Sequence, residues 1–274
     1  MESLFQYVAP PTPCGYLPQQ EWSLEYNYVA SMTPAEYLRR LLDNWRRFGN
    51  MLFRPACASC HACRSLRVGV SRFRPDRSQK RCRQANEGAV ELRIGKPAVS
   101  RAKLALYDRY HAFQSDHKDW PYHPPRDASS YAESFVHHPF PVEEWCYYLD
   151  GRLIGVGYVD VLPGGKSQKP NPKSQTPKPK AESGADDLDL GFGISDLSKD
   201  GGLSAIYFFY DPRQRQRSPG TWNVLCLLDE AARRGLPYVY LGYYVEGCGS
   251  MSYKMRFVPN QLRREDGVWR DFRV

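Results

Sequence analysis

No apolar run in this chain of 274 residues approaches the ~20 residues that a membrane-spanning helix needs. Its start, Met1-Glu-Ser-Leu-Phe5, has no basic segment followed by an apolar one. Neither a membrane partner nor a secretory leader is therefore expected. The chain is expected in the cytoplasm, where its eight cysteines are thiols or metal ligands rather than disulfides. Internal repeats are lacking too. No nucleophile–base set can be recognised, because a catalytic cysteine wants an electropositive niche with an activator beside it. Cys146, Cys226 and Cys248 sit in apolar settings instead.

Hydrophobic residues make up 42% of the chain, enough for one large domain or two modest ones. The net charge of +8 is concentrated. Between Arg39 and Arg83 there are thirteen basic residues, twelve of them arginine, against Asp43 and Asp76 alone. The planar guanidinium fork suits phosphate, so this density points to a polyanion. The stretch 164–202 stands apart, with Lys/Pro/Ser-rich sequence turning acidic, its six lysines matching its six acids. It buries too little to offset its ordering entropy and is expected to be a disordered insertion within one domain.

Local signals define several elements. Thr33-Pro-Ala-Glu36 is a capping box with proline at the first helical position. Tyr37, Leu38, Leu41, Leu42, Trp45 and Phe48 then hold a 3.6-residue period until Gly49, which places Arg39, Arg40, Arg46 and Arg47 on the opposite face. Further helices are expected over Ser78–Glu87, Ser100–His111 and Pro219–Arg234. Asp150-Gly151 joins Trp145–Leu149 to Leu153–Val161 as a hairpin. His137-His138, ending a helix, reads as a cap or surface pair. Leu203–Tyr210, the helix from Pro219, the strand Pro237–Val245 and the basic turn Ser252–Pro259 follow one another. A strand ending beside Arg213, Arg215 and Arg217 at a helix start suits an anionic ligand, because free N–H groups and the helix dipole both point there. The expected class is α/β: a mixed sheet with flanking helices over 99–274, preceded by a basic, cysteine-containing module over 1–98.

Cys57, Cys60 and Cys63, with two residues between each, have the spacing of zinc knuckles and cluster-binding loops. Cys14 is the first choice for a fourth ligand, with His61 and Cys82 behind it. Thiolates suit zinc and an iron–sulfur cluster alike, and the spacing leaves both open.

Several uncommon strings occur together: Cys14-Gly-Tyr-Leu-Pro18, Phe53-Arg-Pro55 with the three cysteines, Leu66-Arg-Val68, Tyr207-Phe-Phe-Tyr-Asp-Pro212, Arg217-Ser218, Leu236-Pro-Tyr-Val-Tyr-Leu-Gly-Tyr243 and Tyr253-Lys254. In this order they resemble the arginyl-tRNA–protein transferase family, and within it the leucyl-transferring bacterial branch. The resemblance covers nearly all of the chain outside 164–202. It implies a GNAT-like catalytic half and transfer of an amino acid from charged tRNA to a protein's N-terminal amine. For that branch the donor is leucyl-tRNA, the acceptors begin with Asp or Glu, and the product is an N-degron. Arginyl transfer by the same family, a zinc-dependent RNA-binding module and a CoA-dependent acetyltransferase are the alternatives. Trp222, two places after Gly220, is too bulky for a CoA diphosphate loop. Leu17 stands where the eukaryotic enzymes have a second cysteine, and Ser250 and Gln261 where a lysine and a glutamate are expected.

Aminolysis of an activated ester needs alignment and oxyanion donors more than a strong base, and no cofactor is required for it. Under the resemblance, Arg213, Arg215, Arg217, Lys254 and Arg256 are candidates for the acceptor's carboxylate. Tyr210, Tyr240, Tyr243 and Tyr244 are candidates for stacking on the terminal adenosine. Arg39, Arg46, Arg72, Arg74 and Arg81 are expected on tRNA phosphates. Tyr253, beside Lys254 at the catalytic centre, is expected to protonate the leaving ribose oxygen.

Overall fold

The computed structural model describes residues 1–118, 120–164 and 197–273. The expected insertion therefore lies, over 165–196, outside the described residues. Two sheets organise the chain. Strands β1 (Glu2–Val8), β2 (Thr12–Pro13), β3 (Glu21–Trp22), β4 (Leu24–Ser31), β5 (Arg46–Phe48) and β6 (Met51–Pro55) come first. Of these, β1-β4-β6-β5 form a four-stranded antiparallel sheet, and β2 and β3 pair separately. Strands β7 (Arg64–Gly69), β8 (Val90–Gly95), β9 (Val142–Leu149), β10 (Arg152–Leu162), β11 (Gly202–Tyr210), β12 (Tyr238–Tyr244), β13 (Asn260–Arg263) and β14 (Trp269–Arg273) make the large sheet, in the order β14-β13-β7-β12-β11-β10-β9-β8. It takes β7 and β8 from before residue 98 and six strands from after it, so the segments on either side of that expected boundary share one sheet.

Five α-helices flank the sheets: α1 (Pro34–Leu42), α2 (Arg77–Asn86), α3 (Arg101–Lys118), α4 (Ala128–Phe135) and α5 (Pro219–Arg233). On one face of the large sheet, Trp222, Leu225 and Leu228 of α5 pack over Trp145, Tyr147, Leu66 and Val239. On the other, Leu106, Tyr107 and Tyr110 of α3 and Tyr131 and Phe135 of α4 cover Val156, Tyr158 and Phe209. A third cluster sets Tyr37, Leu38 and Leu41 of α1 against Val29 and Leu52 of the small sheet and Tyr240 of the large one. That helix joins the two sheets.

The capping boxes of α1 and α2 form as their sequences demand, with Thr33 and Asp76 accepting from the N–H groups of Glu36 and Gln79. Asp150 and Gly151, both at positive φ, turn the β9–β10 hairpin. One expectation fails. The first helix does not run to Phe48 but stops at Leu42, and Arg46–Phe48 is strand β5. Asn44, at φ 68°, takes the left-handed conformation that asparagine tolerates. Its amide donates to the Cys63 carbonyl at 3.0 Å and its oxygen accepts from the Ser65 N–H at 3.1 Å. The break turns Trp45 fully into the core, between the guanidinium groups of Arg40 and Arg54. Arg46 and Arg47 leave the helix surface and are buried.

Arg47 then meets Asp160 of β10 in an ion pair with both side chains wholly buried, and also donates to the Gly49 carbonyl and contacts His138 Nδ1. Breaking a buried pair from one side leaves an uncompensated charge and costs about 3–5 kcal/mol, whereas replacing both partners by apolar groups is often tolerated. Asp160→Ala is expected to lower the unfolding free energy by about that amount in urea titration. The double variant Arg47→Met/Asp160→Leu should recover most of the loss.

Candidate active site

Strands β11 and β12 are the only parallel neighbours among the described residues, and they pair at just three positions: Gly202–Tyr238, Leu203–Val239 and Ser204–Tyr240. Immediately beyond, both strands carry an extra residue. Against β10, Tyr158 faces Tyr207 while Val159 faces Ala205, leaving Ile206 over. Against β7, Tyr240 faces Arg67 while Tyr243 faces Ser65, so three steps on β12 oppose two. A bulge bends its strand and interrupts pairing, and two at one level force the strands apart. Gly242, at φ 76°, supplies the backbone conformation that the second bulge needs.

The opening is a cleft of about 610 Å³. Its floor is Ser204–Phe208 of β11 and Leu241–Tyr243 of β12. Arg46, Arg47, Phe48 and Phe53 of the small sheet form one wall, with Tyr110, Gln114 and Lys118 of α3 nearby. The start of α5 (Pro219, Gly220, Thr221) with Arg215 and Ser218 forms another, and Ser250, Met251, Tyr253 and Lys254 lie over the end of β12. Among the described residues five basic side chains line the cleft (Arg46, Arg47, Lys118, Arg215 and Lys254), Arg47 already paired with Asp160, and neither a carboxylate nor a histidine does.

Arg46 is 7% exposed. Its Nη1 donates to the Trp45 and Leu41 carbonyls, and its guanidinium carbon lies 5.1 Å from the centre of the Tyr243 ring. Nε and Nη2 are buried with no hydrogen-bond partner, a costly state that an incoming anion would relieve. Lys254 donates through Nζ to the Tyr243 carbonyl. Burial, and then the charge of Arg46, push its ammonium down to about 7. Tyr253 keeps 43% of its surface exposed within the open cleft, and desolvation raises its phenol to about 12. At the start of α5, Ser218 is left-handed at φ 53° and makes no side-chain cap, and space is open around Gly220. Cys82 Sγ and Asn86 Nδ2 of α2 brace this turn from behind, both toward the Arg217 carbonyl.

Tyr253, Lys254, Arg215, Tyr210, Tyr243 and Arg46 thus meet in one cleft. Arg213 instead pairs with Asp211, and Arg217 donates to the Ala85 carbonyl; neither lines the cleft. Tyr240 is fully buried, its hydroxyl on the Asp200 carbonyl, so it offers no stacking surface. Tyr244 and Arg256 are also outside the lining, Tyr244 in the core and Arg256 paired with Asp76. Arg39, Arg72, Arg74 and Arg81 are on the surface, with Arg72 paired to Asp271. Arg46 is not, and its burial removes it from any surface contact with a tRNA stem. The arginine surplus is also smaller than composition implies, because Arg47, Arg54, Arg64, Arg67, Arg72 and Arg83 each pair with an acid outside the arginine-rich stretch or at Asp43.

The four cysteines expected as metal ligands lie near one another. Among the described residues no three His, Cys, Asp or Glu side chains converge as metal ligands. Cys14, Cys57, Cys60 and Cys248 all lie close enough to Cys63 to raise its thiol electrostatically, after burial, to about 12. Cys57 Sγ turns to the Ser23 carbonyl at 3.7 Å, and Cys14 Sγ accepts from the Tyr16 N–H at 3.4 Å. His61 is exposed and Cys82 belongs to the α2 brace.

The lysine in this site can be tested directly. Competitive labelling of Lys254 against pH should give a midpoint about 7. Arg46→Met removes a like charge and should move that midpoint up; an unchanged midpoint would rule out coupling between the two.

Known proteins resemble this chain along most of its length. Residues 12–81 match the model of the arginine-tRNA-protein transferase N terminus, and residues 102–169 and 184–264 that of its C terminus. Aspartate/glutamate leucyltransferase of Marinobacter nauticus is 32% identical over 278 residues, covering 99% of this chain and 97% of that protein. The protein of that name from Aeromonas hydrophila is 33% identical over 274 residues, covering 96% and 93%. Among solved structures, that of L-PGS from Bacillus licheniformis superposes with a TM-score of 0.42 at 11% identity, covering 77% of this chain and 58% of that one, too loosely to bear on the fold. The chain belongs to the arginine-tRNA-protein transferase family.

Proposed function

We propose that the chain transfers leucine from leucyl-tRNA to the α-amine of proteins that begin with aspartate or glutamate. The observation that carries this reading is a cleft lined by Arg46, Lys118, Arg215 and Lys254 and, among the described residues, by no carboxylate. The reaction must bring two anionic groups together, the acceptor's acidic side chain and the phosphodiester that precedes the tRNA's esterified terminal adenosine. The first turn of α5, whose Gly220 and Thr221 N–H groups face no preceding turn, suits the phosphate, with Arg215 beside it. Arg46, with two unpartnered donors, suits the carboxylate. An arginyl donor would bring another guanidinium into a cleft without an acid to receive it, which favours leucine. The splayed parallel pair crossed by α5 fits a GNAT-like sheet. Charged tRNA as donor makes the cytoplasm its place of action.

The chemistry needs few groups. The acceptor nitrogen attacks the ester carbonyl carbon, the C–N bond forms, and the bond to the ribose oxygen breaks. Lys254, neutral above about 7, takes the proton that the attacking amine gives up. Tyr253 supplies one to the leaving ribose oxygen and recovers it from solvent. Backbone N–H groups freed at the Leu241–Gly242 bulge are the candidate oxyanion donors. Tyr210 and Tyr243, both lining the cleft, can flank the terminal adenosine. Alignment of the two substrates supplies much of the acceleration. The leucylated product is an N-degron.

Labelled leucyl- and arginyl-tRNA, offered with peptides beginning Asp, Glu, Ala and Lys, test the reading. Label is expected only from leucyl-tRNA and only on the Asp and Glu peptides; label from arginyl-tRNA alone would overturn it. Arg46→Met should lower kcat/KM for the Asp peptide about 100-fold, since losing one partner of a desolvated charge pair costs about 2–5 kcal/mol. In wild type, kcat/KM should rise with pH at a slope approaching two below about 7. Both Lys254 and the acceptor amine, whose pKa is about 7.7–8, must lose a proton. Lys254→Met should leave a slope of one, from the amine alone.

A further inference from the structure

A second cavity, of about 260 Å³, adjoins the cleft and takes no part in the chemistry above. It lies over one face of the small sheet. In the pairs Leu24–Pro55, Tyr26–Phe53 and Tyr28–Met51 the side chains of β4 and β6 point to that face, while Val29 and Leu52 point to the other, against α1. The face that carries Leu24, Tyr26, Met51 and Phe53 is apolar, and α1 lies over the other. A contiguous apolar surface left uncovered beside a reaction site marks a binding site. Tyr16, Phe48, Phe53 and Tyr243 line both spaces, so they are continuous. Among the described residues, five basic side chains line the cleft, whereas no charged side chain lines this cavity.

We infer that this cavity receives the aliphatic side chain of the esterified amino acid, and that its uncharged walls select the donor. The inference rests on the aminoacyl-transfer reading above. Volume agrees: an apolar cavity of about 150 Å³ already accepts a benzene ring, so this one holds a branched four-carbon side chain. Chemistry agrees too. A guanidinium would have to shed water with no carboxylate to meet it, and a nucleobase edge would lose its hydrogen bonds against Leu24, Met51 and Phe53. An alanyl side chain would leave the space unfilled, and small apolar differences of this kind are worth about 10–200-fold in selection.

The test holds the tRNA constant. One leucine tRNA is charged with leucine, alanine or arginine, and transfer to a single Asp peptide is measured. In wild type leucine should exceed alanine by at least about tenfold. Leu24→Trp on β4 and Met51→Trp on β6 fill the cavity from opposite strands, and each should cut the leucyl-to-alanyl ratio of kcat/KM at least about tenfold. Met51→Asp should depress leucyl transfer and raise arginyl transfer above background. An unchanged ratio in both Trp variants would overturn the assignment. An independent readout uses the wild-type protein without turnover: 3′-leucylamido-adenosine should slow alkylation of Cys57, which lines the cavity, more than the alanyl or arginyl analogue does. Equal protection by all three would overturn it as well. If wild type moves no amino acid from any donor, the transferase reading fails; if leucine moves and neither the ratio nor the protection responds, only the side-chain site fails.

Discussion

The structure depends on two parallel strands that stop pairing after three residues. Had β11 and β12 continued in register beyond Ser204 and Tyr240, the centre of the large sheet would be closed and the cationic side chains around it would have no space to face. The extra residues at Ile206 and before Tyr243 hold the gap open, and the flanking ladders to β10 and β7 resume on either side, so it costs the sheet little elsewhere. Everything placed around the opening is held from outside the sheet. The small sheet brings Arg46 in, α2 braces the turn before α5, and Asn44 ties the end of α1 to the start of β7. The Tyr243 hydroxyl completes that tie by donating to the Asn44 carbonyl at 2.7 Å.

Charge is partitioned with similar economy. Arg47 and Arg46 are consecutive on β5 and point in opposite directions, as strand residues must. Arg47 is neutralised by Asp160 and by carbonyl and histidine contacts, so it anchors the strand. Arg46 has no ion-pair partner among the described residues, and its charge acts on Lys254. One residue of offset separates an anchoring cation from one available to a ligand. The neighbouring apolar cavity gains its contrast from the same strand, because Phe48 lies on the Arg46 side and lines both spaces.

Local chemistry made much of this legible in advance. The capping box at Thr33, the Asp150-Gly151 turn, α5 between Pro219 and Gly235, and the order strand, helix, strand through β11, α5 and β12 depend on neighbours in sequence, and they form as expected. Three features could not be read that way. The helical period from Tyr37 to Phe48 is equally consistent with a helix that breaks at Asn44, because Trp45 is buried in either case; the Ser65 and Cys63 contacts that decide it are some twenty residues away. Tyr240 and Tyr243 would face opposite sides of a regular strand, and the intervening bulge brings them to one side, Tyr240 in the core beside α1 and Tyr243 at the cleft. Cysteine spacing reports proximity, which is present, but not which way each sulfur turns. Conversely, the apolar alternation of Leu24, Tyr26 and Tyr28 was visible, and its meaning emerged only once the face opposite α1 was seen to be uncovered.

The run Tyr207-Phe-Phe-Tyr210 is aromatic at every position, so nothing in it prefers one side of the sheet. As built, Tyr207 and Phe209 meet at a tilt on one side, and Phe208 and Tyr210 stack on the other. Ile206 alone sets this parity. A chain one residue shorter there would keep its hydrophobic content and its strand propensity, yet exchange the two pairs of rings. The surface offered to a substrate is therefore fixed by counting rather than by composition, and a length change of one in β11 would be felt more severely than most exchanges of one ring for another.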